Sequence, residues 1–133
     1  MSLERTAVNP VQWSLDLGFS QGELVSGHTR TLYCSGQTAT GPDGAPRHDG
    51  DMAGQLALSL DNLEAVLAGG DMTLADVVRL GVFTTDVDLL LEHLGVLGAR
   101  LGAAGAVPTM TVLQVTRLVI PGQLVELEAT ATG

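Results

Sequence analysis

Two stretches with helical periodicity and five with strand periodicity set the main constraint on this chain. It has helices enough for one face of a sheet, yet apolar residues on both. Leu56, Leu60, Leu63 and Leu67 recur at helical spacing behind a possible cap at Asp49 or Asp51, and Gly69-Gly70 ends the run. Leu90, Leu94, Leu97 and Leu101 form a second stripe behind Asp86 or Asp88, with Pro108 beyond it. Strand patterns cover Leu24–Ser26, Thr29–Ser35, Val77–Thr85, Met110–Leu118 and Leu124–Thr130, with a short helical turn at Thr73–Asp76. Residues 1–17 read as an irregular lead-in, Gly18 to Gly22 as a bend, and Gly36 to Arg47 as a loop. The last two strands are expected to form an antiparallel hairpin around Pro121-Gly122. The order ββ-α-β-α-ββ over 1–133 predicts one small domain.

Two helices cover one face of a four- or five-stranded sheet and no more. The other face is expected to carry Val77, Phe83, Leu113, Val115 and, in one register, Leu32. Left in water, those residues would form an apolar patch that monomers avoid, and copies of the chain closing on each other would cover it.

Composition excludes several function classes. The net charge is -9, lysine is absent and the six cations are scattered arginines, which disfavours nucleic acid and anionic membranes. Only 3% of residues are aromatic, too few for base-stacking platforms. The start, Met1-Ser2-Leu3-Glu4-Arg5, lacks a secretory layout, and one cysteine suits a reducing compartment, so the cytoplasm is expected. His28, His48 and His93 have no metal-ligand spacing, and no metal is expected. No Gly-x-Ser-x-Gly elbow exists, and without lysine there is no phosphate-cradling loop. Cys34 before Ser35-Gly36 is either a nucleophile or, more commonly for a strand cysteine, a small buried hydrophobe. Glu126, mid-strand on the face expected to meet other copies, is either a solvated rim carboxylate or an acid/base group. Arg117 is on the same face of its own strand as Leu113 and Val115 and can pair with Glu126.

Five strings, in order, carry a resemblance. They are Gly18-Phe19-Ser20-Gln21-Gly22, Leu32-Tyr33-Cys34-Ser35-Gly36-Gln37, and Gln55 with Leu60-Asp61-Asn62-Leu63. Then come Asp76-Val77-Val78-Arg79 with Val82-Phe83 and Asp86, and Pro108-Thr109-Met110-Thr111 with Val125-Glu126-Leu127-Glu128-Ala129. From about Gly18 to Ala131 the chain resembles the RidA (YjgF-like) family of reactive intermediate deaminases. The resemblance implies an α+β, chorismate-mutase-like fold: a mixed, mostly antiparallel sheet with two helices on one face. It further implies a homotrimer around a barrel of sheets, with pockets between subunits. The implied activity is cofactor-free hydrolysis of small reactive imines or enamines to a keto acid and ammonia.

Carried over by position, Glu126 matches the family's water-positioning glutamate, and Ser35 and Gly36 match the backbone segment of its pocket. Cys34 and Thr111 lie beside these positions as further candidate substrate contacts. Three family positions differ here. The arginine that clamps the substrate carboxylate is Met110, the bend tyrosine is Phe19, and a helix asparagine is Leu94. Methionine cannot make the two charged hydrogen bonds a carboxylate takes from a guanidinium, so amino-acid-derived imines are disfavoured. Arg30, Arg79 and Arg117 are the candidates for a replacement clamp. Two other functions compete with hydrolysis: a non-catalytic small-ligand-binding or protein-partner trimer, and RNA cleavage, which the charge disfavours.

Overall fold

The computed structural model describes residues 2–133. Its elements are β1 (Glu4–Val8), α1 (Trp13–Asp16), β2 (Gly22–Ser26), β3 (Thr31–Gln37), α2 (Met52–Gly69), a 3-10 turn (Leu74–Asp76), β4 (Val77–Thr84), α3 (Val87–Ala103), β5 (Thr109–Gln114) and β6 (Val125–Thr132). The aspartates settle which cap is used. Asp51 accepts from Gly54 N at 3.0 Å to start α2, and Asp86 accepts from Leu89 N at 3.1 Å to start α3. All four leucines of the first stripe are fully buried. Leu90, Leu97 and Leu101 of the second are buried as well, whereas Leu94 is only partly covered.

The main sheet has the order β3-β6-β4-β5, antiparallel except for the β4–β5 pair. Both long helices supply leucines to one core with the sheet face formed by Val125, Leu127, Ala129 and Ala131 of β6, and Leu80 and Val82 of β4. This is the α+β, mostly antiparallel, two-helix arrangement that the resemblance implies.

Three expectations need correction. First, β5 and β6 do not form a hairpin: β6 lies between β3 and β4, and β5 runs parallel to β4 on its far side. The β4-α3-β5 crossover returns the chain parallel to its start. The link from Val115 to Leu124 then carries β6 past the end of β4 into the sheet centre. The alternating buried residues of β6 suit two strand partners, while Thr109, Thr111 and Gln114 suit an edge.

Second, the lead-in is not irregular, since β1 pairs with β2 from Glu4↔Ser26 to Val8↔Gly22. This ribbon is largely exposed, so burial imposes no legible periodicity on it. Third, Val77 and Leu32 belong to the helix-side core rather than to the open face. The β4–β6 register shifts between Val77 and Arg79, which lets both Val77 and Leu80 turn toward the helices. Phe83 and Leu113 lie on the open face as expected, adjacent in register, and Leu113 is 49% exposed.

Candidate functional site

The site is built around an irregularity where β3 meets β6. Cys34 pairs with Ala129 and Gln37 with Leu127, so Ser35 and Gly36 together stand opposite Glu128. A bulge of this kind breaks the ladder and re-aims neighbouring groups. Gly36 has no Cβ, and the Glu126 side chain fills that volume: a Cβ would lie 2.7 Å from its Cδ. The chain that follows is held by two amide side chains. Asn62 of α2 donates to Thr38 O at 2.9 Å and Thr40 O at 3.0 Å. Buried Gln123 accepts from Ala39 N at 3.0 Å and donates to Ala39 O at 3.3 Å. Such paired bonds fix a loop against its neighbours.

Glu126 is half-buried on the open face, opposite Phe83 in the β4 register. It borders a cavity of about 310 Å³ with Gly36, Phe83, Val115, Arg117, Leu118 and Glu128. Glu128 also borders a second cavity, of about 220 Å³, with Tyr33, Arg79 and Thr130. Gly81 makes room for it there: a Cβ on Gly81 would lie 3.0 Å from Glu128 Cγ.

The predicted site residues do not converge within one chain. Glu126 and Gly36 share the open-face cavity. Leu94 and Met110 instead meet Gly18 in a separate groove of about 390 Å³, between α1 and α3. Phe19 follows that groove's Gly18 and packs edge-on against Trp13, with ring centroids 5.9 Å apart. Ser35 is exposed on the bulge, and Thr111 is exposed on β5 opposite Gly81. Cys34 is 7% exposed among core residues, and burial pushes its thiol pKa up, which disfavours the nucleophilic thiolate. Of the candidate arginines, Arg117 lines the Glu126 cavity, Arg79 lines the smaller one, and Arg30 donates to Gly70 O at 2.9 Å.

Strand alternation placed Glu128 on the face of Glu126, and Phe83 and Val115 were expected on the open face with it. Sequence reasoning missed Leu118 as a neighbour of Glu126, and Asn62 and Gln123 as the groups that hold the strand-end loop. Among the described residues no group of three or more His, Cys, Asp or Glu is arranged to hold a metal ion. No helix among them is long and apolar enough to cross a membrane. The arrangement seats the Glu126 carboxylate in a cavity of mixed lining, with Phe83, Val115 and Leu118 beside Arg117 and Glu128, which is suited to orienting water.

Residues 17–133 match the family described as Endoribonuclease L-PSP. The RutC family protein YjgH of Escherichia coli K12 is 32% identical over 123 residues, covering 87% of this chain and 87% of that protein. The solved structure of YyfB from Yersinia pestis, a protein of the conserved Rid family, superposes with a TM-score of 0.86 at 32% identity, covering 97% of this chain and 98% of that one. E. coli TdcF with bound serine superposes with a TM-score of 0.70 at 27% identity, over 86% and 87% of the two chains.

Proposed function

The chain belongs to the Endoribonuclease L-PSP family, that of the RidA and YjgF proteins, and from that premise we propose that it is a cofactor-free hydrolase of a small imine, enamine or related C=N compound. The observation that carries this reading is the Glu126 carboxylate laid over Gly36 at the β3 bulge, on the wall of a small cavity. In the proposed reaction Glu126 takes a proton from water as the water oxygen bonds to the C=N carbon. The C=N π pair moves to nitrogen, which takes that proton from the carboxyl to give a carbinolamine. Glu126 then takes the hydroxyl proton and passes it to nitrogen as the C–N bond breaks, giving a carbonyl compound and ammonia. The serine bound to TdcF supports a small amino-acid-sized ligand in this family.

The assembly we propose is a cytoplasmic homotrimer with a site at each seam. Two observations support it. The matched site residues divide between an open-face cavity holding Glu126 and a groove holding Met110 and Leu94, so only a second copy can bring the two surfaces together. The open face also leaves Tyr33 79% exposed and Leu113 49% exposed. Met110 offers a substrate no charged hydrogen bond, so the groove half of such a seam suits the apolar part of a ligand.

Ammonia release from a panel of small imines, compared between wild type and Glu126→Gln, tests the reading. The variant is expected to lose about 100-fold or more in kcat. Wild type indistinguishable from the uncatalysed rate on every compound would end it.

A further inference from the structure

Six arginines and no lysine supply every permanent side-chain cation of this chain, so their engagements can be followed one by one. Arg5 pairs with Glu23, Arg47 with Asp43, and Arg100 with both Asp61 and Glu64. Arg30 donates to the Gly70 carbonyl. Among the described residues, Arg79 and Arg117 alone make neither an ion pair within 4.0 Å nor a side-chain hydrogen bond. Their positions separate them. Arg79 is level with Thr109 where β5 begins, whereas Arg117 follows Gln114 where β5 ends. Arg117 alone of the six borders the Glu126 cavity.

That cavity is therefore lined by Arg117 as well as by Glu126 and Glu128, with no ion pair between them within 4.0 Å. Opposite charges left unpaired around one small space favour a dipolar ligand that satisfies both. We propose that Arg117 holds a carboxylate of the ligand on which Glu126 acts, taking the anion-binding role that Met110 cannot fill. A planar guanidinium grips a carboxylate with two parallel hydrogen bonds, leaving the electron-poor C=N carbon toward Glu126. This assignment deepens the hydrolase reading and rests on Glu126 being its working group.

Calorimetric titration with pyruvate and with its neutral amide tests the assignment on the intact protein, using wild type, Arg117→Met, Arg117→Lys and Glu126→Gln. Wild type should prefer pyruvate to the amide. Arg117→Met should weaken pyruvate about tenfold or more and leave the amide unchanged, with Arg117→Lys between the two. Glu126→Gln should keep the preference for the anion while losing turnover, so the two readings can fail separately. The assignment is overturned if wild type shows no preference, if Arg117→Met weakens both compounds equally, or if the variant changes only oligomer mass. Should Arg117→Met fail to fold, pyruvate affinity unchanged in Arg117→Lys overturns it, and selective weakening supports it.

Discussion

Glu126 lies across Gly36 so closely that a Cβ on the glycine would come within 2.7 Å of Glu126 Cδ and 3.1 Å of its Cγ. The two residues sit on adjacent strands, at the point where the β3–β6 ladder loses register. The bulge therefore does more than interrupt pairing, because it gives a carboxylate a fixed seat.

Gly36→Ala should evict the carboxylate from that seat. Gly36 is not in the left-handed backbone region, so an alanine there carries no conformational strain of its own. The expected result is a loss of about tenfold or more in imine hydrolysis, with a melting temperature within a few degrees of wild type. Kinetics and thermal melting on the same preparation check both parts. Unchanged turnover would mean that the seat does not matter.

Gln55→Leu should be among the most destabilising single changes on α2. The Gln55 amide is fully buried, donating to His48 O and Gly122 O at 3.0 Å each, and accepting from Leu124 N. Leucine fills the space but orphans three backbone groups, at a cost of about 3 kcal/mol or more. Equilibrium unfolding in urea measures this directly.

Cys34 ties stability to alkaline pH. Burial holds its thiol pKa above the ordinary value of 9.0, so in that range the folded state keeps the proton that the unfolded chain releases. Stability should be unaffected below the unfolded pKa and should fall as pH rises through it toward the folded value. Cys34→Ala should flatten that slope, and native protein should react slowly with thiol reagents until it unfolds. Rapid labelling under native conditions would contradict the burial.

Leu113→Glu tests the open face. If copies close over this surface, the variant buries an unpaired carboxylate there, which costs several kcal/mol. Light scattering should show wild type as a trimer and the variant at lower mass, with unchanged helical circular dichroism. A variant that keeps the wild-type mass would move the interface elsewhere.

Much of this fold was legible along the chain. The stripe from Leu56 to Leu67, and the caps narrowed to two aspartates each, required only contacts within a few residues. The faces of β6 followed from alternation alone, so Glu126 and Glu128 were correctly paired on one side. The β1 ribbon was not legible, because a short exposed pair has no burial to pattern its sequence. Of the site, Glu126 stood out as a mid-strand carboxylate on the open face that Phe83 and Val115 share, and Gly36 was found through the resemblance, whereas Leu118 had no local sign of proximity to either.

By itself, then, the sequence determined two capped helices, one apolar core and a sheet whose second face is partly apolar. Tertiary structure alone decided that β6 enters between β3 and β4, that Val77 turns inward, and that Met110 and Glu126 fall on different surfaces. It also decided which arginine stands beside the carboxylate. The reason is one of range. Capping and side-chain periodicity act over a turn of helix or a few residues of strand. Strand order, bulge phase and cavity walls are set by segments tens of residues apart, whose pairing energy leaves no mark on either segment alone.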